Sequence, residues 1–337
     1  MGVPIHDGFK VEAWLGAWAT LFLLYRFVRV AGFGHASGLF VLFVAAFSYY
    51  QLKFLMFDVY RPDHLAYPLM LLSIETLIRG RWGVSLAIAV IGLQVREFLV
   101  IPILLLLGET LADAWRADLK RGRLFGRTTV VVLTGVLAVA LPRWLIPVPG
   151  TYQNIDPLYD VTTLARLLTD PLNLRKDLNF VLSFLTYLLP LLLLATPRRA
   201  ARVWRALGAL RPFWIAYTAA VLVMAMYGGT DCDRFMTYLL LPQAVCLGCL
   251  LDDRPSRAEL ATVLLAVILT NRVFLQIPIW DFARYIDYFG GGGELVNLVT
   301  LRKFSQLALA FVGVSVVRMI ARVSSFHNSH ASSTLPL

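Results

Sequence analysis

Long apolar runs follow one another along the chain, and short charged segments separate them. Of its 337 residues, 58% are hydrophobic and only 15% are charged, a balance outside the range of soluble globular domains. The expected solvent is therefore a lipid bilayer. Isolated strands would leave backbone groups unpaired in lipid, and no run shows the in-out alternation of a barrel strand, so helices are predicted.

About eleven spans are predicted, which makes the chain an all-α polytopic transmembrane bundle formed as a single domain over residues 1–337. They are Trp14–Val30, Leu39–Phe57, Leu65–Ile78, Trp82–Leu93, Phe98–Ala112, Thr128–Ile146, Phe180–Ala195, Phe213–Tyr227, Phe235–Leu251, Leu260–Phe274 and Leu307–Ile320. Several are shorter than the roughly 20 residues of a perpendicular span. Either their ends extend into flanking polar residues, or two of them are re-entrant.

Positive charge alternates between the connections, and short cytoplasmic loops retain Lys and Arg. The basic connections are predicted to be cytoplasmic: Arg26 and Arg29; Arg79 and Arg81; Arg116 to Arg127; Arg198 to Arg211; Arg254 and Arg257; Arg318 and Arg322. The intervening, mostly acidic connections are predicted to face outward. This places the C-terminus in the cytoplasm and the N-terminus outside. Residues 1–12 contain no signal peptide, so we expect either unaided translocation of this tail or a preceding span.

The net charge of +10 is explained by this topology, because anionic headgroups attract Lys and Arg at the membrane surface. No loop is long enough to form a basic nucleic-acid-binding module, so no nucleic acid partner is expected. The pair Cys246 and Cys249 lies inside an apolar span, where small buried hydrophobic residues are expected rather than a redox motif.

The first candidate site segment is the outer turn from Asp58 to His64. Asp58 and Asp63 flank Arg61, and together with His64 they could supply a general base and a phosphate contact. The alternative for Asp63 is a helix start behind Pro62, with the carboxylate as a cap.

The second candidate segment is Arg96-Glu97, placed between two short apolar runs. Ionisable residues near the membrane are costly and usually face a cavity or a partner. Both residues are therefore candidate substrate-binding groups. The alternative is an exposed turn in which water solvates the two side chains.

The third candidate segment contains Asp231, Asp233 and Arg234, directly after a glycine pair. Arg234 opens an outer helix end and is suited to grip a phosphate group. The two carboxylates are compatible with a Mg or Mn ion, although two carboxylates alone do not define a metal site. Helix capping by either Asp is the alternative, and it is compatible with function.

Two longer outer-face loops are predicted, at residues 147–179 and 278–303. The first contains the polar group around Tyr152, a candidate substrate contact, and an amphipathic stretch suited to the membrane interface. The second contains Gly290–Gly293, a hinge-like run without the Lys-Ser or Lys-Thr of a phosphate-binding loop.

The order of these motifs resembles bacterial members of the GT-C superfamily, polytopic glycosyltransferases that use polyprenyl-phosphate-linked sugars. The similarity covers residues 14–251. It comprises an acidic outer loop whose helix ends in Arg79-Gly80-Arg81, the Arg96-Glu97 step before Pro102, and Asp233-Arg234 at the start of a later span. The family pattern has an earlier span and an outer loop with an essential carboxylate, and this chain begins about where that loop would end, with Asp7 as its remnant.

The resemblance implies transfer of a sugar, with inversion, on the outer face of a bacterial cytoplasmic membrane. Asp58 or Asp63 would act as the general base. Arg234, helped by Arg96 or Arg61, would neutralise the departing lipid phosphate. Glu97 would orient an Arg or bind sugar hydroxyls. Two other classes stay open: a transporter or flippase, which predicts charge at the membrane midplane, and a non-catalytic membrane subunit or degenerate homologue.

Overall fold

The computed structural model describes residues 5–48, 55–56, 62–115, 121–145, 174–227, 232–252, 254–271 and 298–331. Within these ranges every regular element is a helix, so the predicted all-α class is confirmed. The helices are α1 (Ile5–Val30), α2 (His35–Ala46), α3 (Asp63–Ile78), α4 (Trp82–Leu93), α5 (Val100–Trp115), α6 (Arg121–Leu145), α7 (Leu174–Leu194), α8 (Pro197–Leu207), α9 (Arg211–Tyr227), α10 (Cys232–Met236), α11 (Leu240–Leu251), α12 (Arg257–Thr270) and α13 (Leu298–Ala331). Single 3-10 turns lie at Glu97–Leu99, Gly208–Leu210 and Thr237–Leu239.

Five stretches in the described residues are long and apolar enough to cross a membrane: Asp7–Val30, Asp177–Leu194, Pro197–Tyr227, Arg234–Leu251 and Leu301–Ile320. Three shorter apolar helical stretches accompany them, at His35–Ala46, Trp82–Leu93 and Leu124–Ala138. The chain therefore has the features of a helical membrane protein. The larger number of about eleven spans stays a prediction.

Several polar segments that were assigned to connections are helical. The arginine-rich segment after α7 forms α8, because Pro197 occupies its first turn and the Thr196 hydroxyl accepts a hydrogen bond from the Arg199 amide. Residues 174–179 and 298–303, placed in the outer loops by the sequence, are the first turns of α7 and α13. Hydropathy marks the apolar part of a helix and not its polar ends.

A glycine turn closes the hairpin of α3 and α4. Gly80 has φ +71°, and the amides of Gly80 and Arg81 donate to the carbonyls of Leu77 and Thr76. This is a Schellman end, in which a residue without a Cβ adopts the left-handed conformation without strain. Buried Ser73 on α3 and Ser85 on α4 then hydrogen-bond, with 3.1 Å between their hydroxyl oxygens.

Close contact between α1 and α3 fixes the start of α3. A Cβ at Gly16 would lie 2.2 Å from the carbonyl oxygen of His64, so only glycine allows the two helices to approach this closely. The main core surrounds this pair of helices and includes fully buried Leu24, Tyr67 and Ile74. The first residues of α3 are thereby held deep inside the bundle.

Candidate functional site

Three described elements meet around the carboxylate of Asp63. The N-cap position of α3 is Pro62, and Asp63 is the first residue of the helix, where a negative charge is favoured by the helix dipole. Arg96 lies between α4 and the 3-10 turn Glu97–Leu99, and its backbone is extended. Arg234 lies on the short helix α10.

Asp63 is fully buried, and its carboxylate faces two arginines and a tyrosine. Its Oδ1 accepts a hydrogen bond from the Tyr238 hydroxyl at 3.0 Å and lies 3.4 Å from Arg96 Nε. Its Oδ2 lies 3.9 Å from Arg234 Nε. The side chains of Arg96 and Arg234 are 18% and 9% exposed, so both guanidinium groups are largely withdrawn from solvent.

Aromatic rings hold this cluster in place. The ring of Phe98 stacks between those of Phe235 and Tyr238, with centroid distances of 5.0 and 4.3 Å. The guanidinium carbons of Arg96 and Arg234 lie 5.7 and 4.6 Å from the centroid of the Phe235 ring. Cations within about 6 Å of an aromatic centroid are attracted to the ring face. The arginines are therefore positioned by a carboxylate and by a ring.

These rings were not predicted as site residues from the sequence. Tyr67, whose hydroxyl donates to the Arg234 carbonyl at 3.3 Å, was not predicted either. They lie in segments that were counted as apolar spans, where an aromatic residue needs no special explanation. One local signal was present, since Tyr238 follows Arg234 by one helical turn.

The other predicted site residues are distributed unevenly. Glu97 is 57% exposed and lies 3.5 Å from Arg96 Nε, so it borders the cluster from the solvent side. His64 is 1% exposed and is packed against α1 beside Gly16. Asp58, Arg61, Tyr152 and Asp231 lie outside the described residues, and Asp233 is placed only as a backbone position of α10.

The described residues do not offer a metal site. No group of three or more His, Cys, Asp or Glu side chains among them is arranged to hold an ion. Asp63 faces two guanidinium groups, which repel a divalent cation. The donors around Asp63 therefore suit an anion better than Mg or Mn.

Two further carboxylates are paired with arginines elsewhere. Glu75, near the end of α3, lies 2.6 Å from an Arg26 nitrogen and 2.5 Å from an Arg79 nitrogen. Glu259, in the first turn of α12, bonds Arg199 at 3.0 Å and Arg318 at 2.7 Å. Glu75 lies at the opposite end of α3 from Asp63, so these pairs are separate from the Asp63 cluster.

The fold and the composition define a class, a helical protein with several helices suited to a membrane. Comparisons with protein families, with curated proteins and with solved structures gave no significant match for this chain.

Proposed function

We propose that this protein is a membrane glycosyltransferase that moves a sugar from a polyprenyl-phosphate donor to an acceptor at the bundle end that contains Asp63. The observation that carries the proposal is the pair of largely buried arginines, Arg96 and Arg234, held by one buried carboxylate and one aromatic ring. Preorganised cations of this kind stabilise charge that develops on a leaving phosphate without reorganisation during the reaction.

In this reaction the acceptor hydroxyl oxygen attacks the anomeric carbon of the donor sugar. The bond between that carbon and the phosphate oxygen breaks, and polyprenyl phosphate leaves with the electron pair. Arg96 and Arg234 neutralise the negative charge that the phosphate gains. The hydroxyl proton passes to a carboxylate base, and the resemblance to GT-C enzymes implies inversion at the anomeric carbon.

The burial of Asp63 assigns it a positioning role in this proposal. A general base must come within hydrogen-bond reach of the acceptor hydroxyl. Asp63 is fully buried, accepts a hydrogen bond from the Tyr238 hydroxyl and is paired with two arginines. Asp58, the other carboxylate of the outer turn, is the proposed base. Exposed Glu97 is the proposed contact for sugar hydroxyls.

The charge distribution favours an enzyme over a transporter. Two charged residues, Glu75 and Lys53, lie within the predicted spans Leu65–Ile78 and Leu39–Phe57, and a transporter requires charge at the membrane midplane. Glu75 does not favour a transporter. It lies four residues before Arg79 and is neutralised by it, near the end of α3. Lys53, the other, lies outside the described residues.

The test is donor turnover by protein reconstituted in liposomes. The donors are hexoses and pentoses linked to undecaprenyl phosphate and labelled in the sugar, and a cell lysate supplies acceptor glycans. The assay measures both the sugar transferred to acceptors and the sugar released by hydrolysis. Replacing Arg96 or Arg234 with Gln should lower kcat by about 100-fold or more, as expected when one charge-stabilising donor is lost. Asp58→Asn should also abolish transfer.

The matched control is Arg205→Gln on α8, an exposed arginine whose Nε bonds a carbonyl of its own helix. This variant should retain wild-type turnover. Equal turnover by wild type and by folded Arg234→Gln and Asp58→Asn proteins would remove the proposed site. Sugar-lipid flux across the bilayer without transfer or hydrolysis would favour the transporter.

A further inference from the structure

A groove lies between α9 and α11, and its Arg211 end is at the bundle end away from Asp63. Its volume is about 380 Å³, within the range of small-molecule sites. The α9 wall includes Arg211, Ile215, Ala219 and Leu222, which recur at helical spacing and so form one stripe, and Trp214 and Thr218 line the groove beside it. Pro242 and Cys246 of α11 form the opposite wall.

The groove has one charged end, and the rest of its described lining is mostly apolar, with Thr218 as a polar exception. Arg211 is the charged side chain among its described lining residues, and it stands where α9 begins. From Arg211 to Leu222 the helix advances about three turns, or ~16 Å. One leaflet of a bilayer has a hydrocarbon depth of ~15 Å, half of the ~30 Å core. The stripe therefore matches the depth of a single leaflet.

Arg211 is held at this end by Trp204. Its Nε donates to the Trp204 carbonyl at 2.7 Å, and its guanidinium carbon lies 5.0 Å from the Trp204 ring centroid. Trp204 on α8 is 53% exposed. Tryptophan is enriched at the headgroup level of membranes, where its ring and its N–H have suitable surroundings.

The segment that ends at Arg211 carries charge of a single sign. Residues 197–211 contain Arg198, Arg199, Arg202, Arg205 and Arg211 and no acidic residue. Arg199 turns inward to Glu259, whereas Arg198 and Arg205 are exposed. Basic helices at the membrane surface attract anionic headgroups by about 1 kcal/mol per residue.

We propose that this groove binds an anionic glycerophospholipid of the adjacent leaflet. One acyl chain lies along the α9 stripe. Arg211 binds the headgroup phosphate, close to the arginine-rich helix α8. The site is independent of the proposed glycosyl transfer, since none of its lining residues belongs to the Asp63 cluster and its phosphate-binding Arg211 lies at the opposite end of the bundle. Its occupant is a structural or regulatory lipid of the membrane.

The test measures lipid binding to the full chain. Protein is delipidated in detergent and titrated with dioleoyl phosphatidylglycerol or dioleoyl phosphatidylcholine, and bound lipids are counted by native mass spectrometry. We expect phosphatidylglycerol to bind at least about fivefold more tightly, the ratio that corresponds to one favourable charge contact. Equal affinities for the two lipids would overturn the proposal.

Two substitutions on α9 locate the acyl chain. Ala219→Trp fills the groove and should remove most of the tight phosphatidylglycerol binding. Ala216→Trp adds the same ring at an exposed position of α9 that does not line the groove, and it should leave binding unchanged. Equal binding by both variants would show that the groove is not the site.

Three further substitutions locate the phosphate. Arg211→Gln should remove the preference for phosphatidylglycerol, while Arg211→Lys, which retains the charge, should keep most of it. Arg302→Gln removes an exposed arginine at the other end of the bundle and should have no effect. A loss of preference in Arg302→Gln as large as in Arg211→Gln would indicate nonspecific attraction and overturn the assignment to Arg211.

Discussion

Asp63 illustrates how much burial decides about a single residue. A carboxylate transferred out of water requires compensating charge and hydrogen bonds, and Asp63 obtains them from Tyr238, Arg96 and Arg234. The same contacts fix the orientation of both arginines. The residue therefore acts through its neighbours, and its contribution is best measured through them.

Tyr238→Phe tests this network. The substitution keeps the ring that stacks on Phe98 and removes the hydroxyl that donates to Asp63. We expect a loss of about 1.5–3 kcal/mol in the free energy of unfolding, the contribution of a hydrogen bond to a charged group. Thermal unfolding in detergent, followed by tryptophan fluorescence, measures it.

The control is Tyr25→Phe, which removes a hydroxyl bonded to exposed His35 at 2.6 Å. Water replaces that partner, so this variant should lose much less stability. A Tyr238→Phe protein as stable as the Tyr25→Phe protein would contradict the role given to the buried hydroxyl.

Gly16 is a second position where one atom decides the packing. In Gly16→Ala the new Cβ would lie 2.2 Å from the backbone oxygen of His64, so α1 and α3 must separate. We expect a loss of about 1–3 kcal/mol, typical of overpacking. Gly8→Ala on the same helix meets nothing within 4 Å and should be neutral or slightly stabilising. Equal unfolding temperatures for the two variants would refute the close approach of the helices.

Arginine-carboxylate clusters join the ends of separate helices. Glu259 on α12 binds Arg199 of α8 and Arg318 of α13, and these arginines also donate to the last carbonyls of α7, at Leu194 and Leu193. Carbonyls at a helix end have no partner within the helix, so positive side chains stabilise them. One carboxylate thereby links the end of α7 and the starts of α8 and α12 to the middle of α13.

This cluster predicts a dependence of stability on pH. Burial raises the pKa of Glu259, but hydrogen bonds and charge from Arg199 and Arg318 outweigh burial, and the net pKa lies below the usual carboxyl range. Because the folded pKa is lowered, ionised Glu259 stabilises the protein above the unfolded pKa, and this stabilisation is lost as pH falls through the folded pKa. The unfolding temperature of the wild type should fall on acidification, and that of Glu259→Gln should fall less.

At neutral pH, Glu259→Gln should lower stability by about 1–3 kcal/mol. Glu109→Gln provides the comparison, because Glu109 is 46% exposed and lies 3.8 Å from Arg127, and exposed pairs contribute little. If acid destabilises wild type and Glu259→Gln equally, the pKa of Glu259 does not control the effect.

The whole molecule has two chemically different ends. One end contains the Asp63 cluster, and the other contains the Glu75 pairs and the arginine helix α8. The positive-inside rule predicts that the arginine-rich end is cytoplasmic. The candidate site then faces outward.

Cysteine labelling in intact cells tests this orientation. In a chain with Cys232, Cys246 and Cys249 replaced by Ser, exposed Glu97 and Arg205 are each changed to Cys. A membrane-impermeant maleimide should label Glu97→Cys from outside and Arg205→Cys only after the membrane is opened. The reverse pattern would invert the topology.

Local sequence determined the class of fold and the position of most helices. The run Trp82–Leu93 predicted α4 residue for residue, because hydropathy and helix formation both depend on near neighbours. The charges between the apolar runs likewise predicted two kinds of connection, basic and mostly acidic, because charge is also read from near neighbours in the sequence. The polar helix α8 and the polar first turns of α7 and α13 were not predicted, since hydropathy does not distinguish a polar helix from a loop.

Tertiary structure alone decided which residues meet. The sequence singled out Asp63, Arg96 and Arg234 separately, but Tyr238, which lies 175 residues from Asp63, and the rings of Phe98 and Phe235 looked like ordinary apolar residues. The burial of Asp63 also favours the proposed positioning role over that of the general base, and both stay predictions. Contacts across such separations depend on how whole helices pack, and no local pattern encodes them.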